Sequence, residues 1–166
     1  MCGRGVRNNM TTTIPINWTT EMRARNYKFF EVKKLSESAK VPSKGNPGDA
    51  GYDLYANETV SIPSGATVLI STGIAMALPK GFVGLIWDRS SMGVKGIHRH
   101  AGVIDSGYRG VVKVCLHNTT KETYHVEMGD RIAQLLIQET PMFRLHEVEE
   151  LDSTERGSGG FGSTGK

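Results

Sequence analysis

The sequence predicts an all-β fold, a sandwich or a barrel, and three observations carry that expectation. From Lys28 onward the apolar residues come in short runs, each run is closed by an identifiable turn residue, and no stretch of a dozen or more residues keeps a 3.6-residue apolar period. Alternating βαβ units would place such periodic helices between the strands, so a doubly wound sheet is not expected and helix content should be small.

In chain order, residues 1–27 are polar, rich in Thr and Asn and without periodicity, and are expected to form a leader outside the fold. The first expected strand is Phe29 to Leu35. Thr59 to Ile62 and Thr67 to Ser71 follow, parted by Pro63-Ser64-Gly65. Ile74 to Leu78 and Phe82 to Trp87 are parted by Pro79-Lys80-Gly81. Gly110 to Leu116 and Tyr124 to Val126 flank Asn118-Thr119-Thr120, and Arg131 to Gln138 comes after Met128-Gly129-Asp130. In the run from Val111 to His117, Val112, Val114 and Leu116 fall on one face and Lys113, Cys115 and His117 on the other, the pattern of a half-buried strand. These strands make one β domain over residues 28–150, followed by a flexible Gly-rich arm over residues 151–166.

With 166 residues, 38% of them hydrophobic, the chain is long enough for one domain with a core of its own. A net charge of +3 without a long basic run gives no nucleic-acid groove, but suits a polyphosphate ligand. Two cysteines, Cys2 and Cys115, provide neither a disulfide framework nor metal-ligand spacing, which points to a reducing, cytoplasmic setting. No stretch approaches the roughly 18 apolar residues of a membrane span, so no membrane association is expected.

Polar islands interrupt the strands. In DAGYDLYA, Asp49 to Ala56, a carboxylate could hold a water of a hydrated Mg²⁺, an ion that takes few protein ligands; the other reading is a surface turn with solvated Asp. In DRSSMGVKG, Asp88 to Gly96, Arg89 stands beside two hydroxyls and Gly-exposed backbone, which reads either as a phosphate cradle or as a capped loop or helix start. In AGVIDSGYRG, Ala101 to Gly110, Asp105 leaves a short strand and could act as a general base on a metal-organised water, with the Tyr108 ring against a sugar; a plain turn is the alternative. In GDRIAQLLI, Gly129 to Ile137, Gln134 is either a ligand contact or an internally satisfied amide. The last eleven residues, Arg156 to Lys166, hold five Gly, two Ser and one Thr around Phe161, which suits an arm folding over a nucleotide, or else a disordered tail.

Taken in order, these five islands resemble the five motifs of the trimeric dUTPase family, over Ala50 to Gly165. The resemblance implies a distorted jelly-roll β-barrel or sandwich. It also implies a homotrimer whose active sites draw on more than one subunit, and Mg²⁺-dependent hydrolysis of dUTP to dUMP and pyrophosphate. That reaction keeps uracil out of DNA and supplies dUMP for thymidylate synthesis. By the same resemblance Asp105 activates the water that attacks the α-phosphorus, and Asp53 holds Mg²⁺ through water. Arg89, Ser90, Ser91 and Gln134 lie on the phosphates. The backbone of Gly102, Val103 and Ile104, in the hairpin reaching Lys113, reads the uracil edge. Tyr108 packs under the deoxyribose and leaves no room for a 2′-hydroxyl. Arg156, Phe161, Gly162, Ser163 and Thr164 form the closing arm, with Phe161 over the base.

Three departures stand out: Trp87-Asp88 where many members have Ala-Pro, Gly107 where many have Asp, and Arg99 where several have an Asn on the base. Two rivals remain. A dCTP deaminase shares the fold, but carries a catalytic Glu at the position of Cys115, and a thiol cannot shuttle that proton. A dUTP-sensing regulatory protein would bind without turnover, although every catalytic position is present here.

Overall fold

The computed structural model describes residues 28–160; the expected leader and residues 161–166 lie outside them. In order, the described chain forms β1 (Glu31–Lys34), β2 (Tyr52–Tyr55), β3 (Val60–Ile62), β4 (Thr67–Ser71), β5 (Ile74–Ala77), β6 (Phe82–Trp87), α1 (Ser90–Gly93), β7 (Ile97–His100), β8 (Val103–Asp105), β9 (Lys113–Asn118), β10 (Tyr124–Val126) and β11 (Arg131–Glu139). Every strand pair is antiparallel. The strands pair as a four-stranded sheet β2-β11-β6-β8, a three-stranded sheet β4-β9-β7 and the two-stranded ladders β1-β5 and β3-β10. The fold is thus nearly all β, with a single helical turn, and its ladders do not join into one closed barrel among the described residues.

Side-chain alternation sets the layers. On the four-stranded sheet Leu54, Ala133, Leu135, Ile86 and Ile104 face the core, while Asp53, Gln134, Trp87, Val103 and Asp105 share the opposite face. On the three-stranded sheet Ile70, Val114, Leu116 and Ile97 point inward. Ile62, Ile74, Val112, Val126 and Ile132 fill the space between the sheets. Each such side chain contributes about 1.5–3 kcal/mol by leaving water, so the core fixes which residues the outer faces present.

Three strands differ from the sequence expectation for local reasons. The strand expected at Gly110 begins only at Lys113, because Val112 is bonded elsewhere: its N–H donates to the Ile74 carbonyl at 2.8 Å and its carbonyl accepts from Thr72 N at 3.1 Å. It also runs on to Asn118, read as a turn residue. Asn118 is buried and does both jobs, donating to the Ile62 and Glu122 carbonyls at 2.8 and 2.7 Å while its Oδ1 caps the turn at Thr120 N, 2.9 Å. β2 and β7 were not anticipated as strands. β11 carries a register shift between Arg131 and Ala133, with Ile132 and Ala133 both buried. After β11 ends, residues 140–154 have no regular element, and Met142, Phe143, Leu145 and Leu151 are 84–94% exposed, covered by nothing among the described residues.

Candidate active site

A cavity of about 410 Å³ opens at one end of the four-stranded sheet, lined among others by Asp49, Gly51, Asp53, Arg89, Ser90, Arg131 and Gln134. Asp53 on β2 pairs in register with Gln134 on β11, which pairs in turn with Trp87 on β6, and Arg89 follows two residues later as the N-cap of α1. Asp53, 15% exposed, accepts from Arg89 Nε at 2.9 Å and from Arg131 Nη1 at 3.2 Å. Arg89 Nη1 also reaches the Arg131 carbonyl at 3.2 Å and Ser91 Oγ at 3.4 Å. Of the two readings of the first island, the solvated turn fits Asp49, whose Oδ2 accepts from Asn46 N at 2.8 Å, but not Asp53. The second island is both a one-turn helix and part of the cavity wall. Neither serine caps it, so its first N–H groups have no capping side chain.

Gln134 is tied into the fold through its Nε2, which donates to the Asp88 carbonyl at 2.8 Å, and Oε1 lies where a Cβ on residue 51 would stand, which is why that neighbour is glycine. The Trp87-Asp88 departure has a structural partner. Asp88 Oδ1 accepts from Arg99 N at 2.7 Å, and the Arg99 guanidinium lies 4.7 Å from the Trp87 ring centroid while donating to the Ala101 carbonyl at 2.7 Å. Arg99 is thereby committed to its own chain, bracing the start of β7 against the end of β6.

A second cavity, of about 230 Å³, is lined by Leu69, Val103, Ile104, Asp105, Tyr108, Val111 and Lys113. Its approach is a tight corner at Ala101 (φ 60°) and Gly102 (φ 117°), where an added Cβ on residue 102 would stand 2.9 Å from Ile86 Cβ. The Gly102 carbonyl accepts from Ile86 N at 2.8 Å. By antiparallel alternation Val103, on the edge strand β8, then turns its N–H and C=O away from the sheet. The turn after β8 is locked: Asp105 O accepts from Tyr108 N at 3.0 Å, Tyr108 Oη donates to Val111 O at 3.0 Å, and Arg109 folds back onto the Ser106 and Tyr108 carbonyls at 2.7 and 2.8 Å. The Tyr108 ring lies over Gly110, where a Cβ would collide with it. Asp105 itself is exposed and has no ion-pair partner among the described residues.

The sequence-derived site residues therefore separate into two groups, of which Asp53, Gln134, Val103 and Asp105 share one face of the four-stranded sheet. Asp53, Arg89, Ser90 and Gln134 line the first cavity, with Ser91 beside them; Val103, Ile104, Asp105, Tyr108 and Lys113 line the second, with Gly102 at its entrance. Asp105 lies opposite Val83 and Gln134 opposite Trp87, so about 13 Å of strand parts them at roughly 3.3 Å per residue. Arg156 sits in the turn at residues 155–158, donates to the Gly159 carbonyl at 3.0 Å and lines neither cavity. Phe161, Gly162, Ser163 and Thr164 fall outside the described residues. Sequence reasoning missed Arg131. Three residues from Gln134, it belongs by parity to the other face, and only the extra residue of the β11 bulge turns it toward Asp53.

The dUTPase family model matches residues 37–165. A deoxyuridine 5′-triphosphate nucleotidohydrolase of Paramecium bursaria Chlorella virus 1 is 48% identical over 135 residues, covering 81% of this chain and 96% of its own. The enzyme of that name from Rattus norvegicus is 44% identical over 175 aligned positions, covering 99% of this chain and 85% of its own. Among solved structures, a mutant of Staphylococcus bacteriophage 80alpha dUTPase with dUpNHpp superposes with a TM-score of 0.79 at 31% identity, covering 84% of this chain and all of that one. A mutant dUTPase of phage phi11 of S. aureus, described with a structural Mg(II) ion, gives a TM-score of 0.71 at 30% identity over 76% of this chain and all of that one.

Proposed function

We propose, from the premise that this chain belongs to the dUTPase family and hydrolyses dUTP, that it does so at sites assembled between copies, with the 410 Å³ cavity of one chain facing the 230 Å³ cavity of another. One observation carries this reading: a cationic half-site and a carboxylate half-site lie on the same face of one sheet with no lining residue in common. A general base has to stand within hydrogen-bond reach, or one water, of the proton it takes, and about 13 Å along β6 is beyond that. A homotrimer of the family's kind supplies the juxtaposition. The four apolar side chains left bare beyond β11 supply a reason for the C-terminal segment to cross to a neighbour.

In this mechanism the Arg89 guanidinium, Ser90 and Ser91 hold the triphosphate, with Gln134 shaping the wall and holding the Asp88 carbonyl in place. Arg89 is pre-aimed by its bond to Asp53, so little reorganisation accompanies anion entry. The outward N–H and C=O of Val103, with the Gly102 and Ile104 backbone fixing its register, match the donor and acceptor edge of uracil. A cytosine edge would leave these groups unpaired. Tyr108, pinned over Gly110, forms the sugar wall that excludes a ribose 2′-hydroxyl, and Lys113 lines the same wall. Asp105 takes a proton from water. The water oxygen bonds to the α-phosphorus, the bond from that phosphorus to the bridging oxygen breaks, and pyrophosphate leaves with the electron pair. Arg156, Phe161, Gly162, Ser163 and Thr164 close over the nucleotide, with Phe161 stacked on the base.

The donor set fits Mg²⁺ only through water. No three His, Cys, Asp or Glu side chains converge to hold a metal among the described residues, and both Asp53 oxygens already accept from guanidinium groups while keeping lone pairs for a water proton. When bound with the triphosphate, Mg²⁺ supplies neutralisation of phosphate charge. A reducing, cytoplasmic setting belongs to the same reading and suits the free thiol of Cys115. Among the described residues no helix is long and apolar enough to cross a membrane.

A single assay tests the reading: dUTP, dCTP, dTTP and UTP, each with and without Mg²⁺. Pyrophosphate is expected from dUTP alone and only with the metal. Ammonia from dCTP would restore the deaminase reading, and equal turnover of UTP would remove Tyr108 from its role.

A further inference from the structure

We propose that His100 and His117 form a two-imidazole site for a late first-row divalent cation such as Zn²⁺, on the outer face of the three-stranded sheet and separate from both cavities. The register places His98 opposite His117 and His100 opposite Cys115, so His100 and His117 are diagonal neighbours on one face of β7 and β9. Their ring centroids are 5.0 Å apart with planes tilted by 53°. Two imidazoles on one metal, at metal–nitrogen distances near 2.0–2.1 Å and angles from a right angle to tetrahedral, put the centroids about 4.5–5.2 Å apart, so the pair already has the spacing of a chelate.

The second observation concerns the tautomer. Thr67 Oγ1 lies 3.0 Å from His117 Nδ1. With the proton on Nδ1 and donated to that hydroxyl, Nε2 carries the lone pair, the same arrangement by which a hydrogen-bonded neighbour orients a ligating histidine. His100 is exposed and has no hydrogen-bond partner among the described residues. His98 is drawn aside instead, with Nδ1 3.4 Å from Asp88 Oδ2. Among the described residues no third His, Cys, Asp or Glu converges on the pair, so water completes the coordination. Imidazole donors select Zn²⁺, Ni²⁺ or Cu²⁺ over Mg²⁺, which prefers oxygen, so this site and the catalytic metal do not compete. The cation ties β7 to β9 immediately before the Ala101-Gly102 corner that leads to Asp105.

The test titrates Zn²⁺ into the full chain by calorimetry in excess Mg²⁺, for wild type, His100→Gln, His117→Gln and the control His125→Gln, whose Nδ1 already meets Ser61 Oγ at 2.9 Å on another ladder. Each of the first two substitutions is expected to weaken binding by about tenfold or more, and the control to leave it intact. All variants should keep wild-type dUTP turnover and, without Zn²⁺, wild-type melting. Binding unchanged in both variants, or lost equally in the control, overturns the site. So does a Cu²⁺ electron paramagnetic resonance spectrum of the wild type that lacks nitrogen coordination, an outcome that does not depend on how the variants fold. Because turnover is read separately, failure here leaves the hydrolase reading untouched.

Discussion

The two ends of the four-stranded sheet handle charge in opposite ways. At the β2 end Asp53 is clamped between Arg89 and Arg131, and Gln134 is pinned to the Asp88 carbonyl. At the β8 end Asp105 stands exposed on an edge strand without an ion pair among the described residues, although the turn behind it is tightly bonded. In the proposed function the difference separates two tasks. A group that binds a fixed anion works best when its partners hold it in place beforehand, whereas a group that takes a proton needs an oxygen not already spent on a neighbour. The sheet and its turns fix the backbone at both ends by hydrogen bonds, and among the described residues leave the Asp105 carboxylate without an ion pair, at the end where the proposed function places the base.

The sharpest way to break this comparison is Asp105→Asn. It keeps size and hydrogen bonding but removes the proton acceptor, so pyrophosphate release should fall by about a thousandfold, within the range typical of a lost general base, while affinity for a non-hydrolysable dUTP analogue stays within a few fold. Stopped-assay phosphate analysis and calorimetry read the two quantities, and surviving turnover would mean the base has been misassigned. Next in size is Arg89→Ala, which deletes a charge-assisted contact worth about 1.5–3 kcal/mol and should lower kcat/KM by roughly a hundredfold. Refolding the two inactive variants together sharpens the point. If sites are shared between copies, random mixed trimers regain about a quarter of wild-type activity, because one boundary in four then joins an intact Arg89 to an intact Asp105. No recovery would place both groups in a single chain's site. Deleting residues 156–166 comes third: losing a stacked ring and its neighbouring bonds should cost about tenfold to a hundredfold in turnover while sedimentation still shows the same assembly.

Much of this contrast was legible in the residues. The alternation of Val114 and Leu116 with Lys113, Cys115 and His117 gave β9 its buried face, and the breakers at Pro63-Ser64-Gly65 and Pro79-Lys80-Gly81 placed β3 to β6 within a residue or so of where they lie. β2 was hidden because YDLY buries only Leu54 fully and carries Asp53, which a strand reading treats as an interruption. β7 was hidden because IHRH buries only Ile97 and spends its polar side chains on contacts that no local pattern encodes. The order of the polar islands marked out residues that line the two cavities, but not their division between them, since that depends on strand order in the sheet.

Arg131 is the smallest and most discriminating test. Its pair with Asp53 resembles that of Arg89 in distance, 3.2 against 2.9 Å, but its side chain is 51% exposed against 21%. Water screens so open a pair, and exposed ion pairs contribute about 0–1 kcal/mol, so Arg131→Gln should raise KM for dUTP by about two- to fivefold with kcat and melting temperature nearly unchanged. The double variant Arg89→Ala with Arg131→Gln then decides whether the two guanidinium groups act separately. Additive losses mean that Arg89 alone meets the phosphates and Arg131 merely trims the field around Asp53. A double loss no larger than that of Arg89→Ala by itself would mean that the β11 bulge has built one coupled clamp, and that Asp53 aims both arms of it.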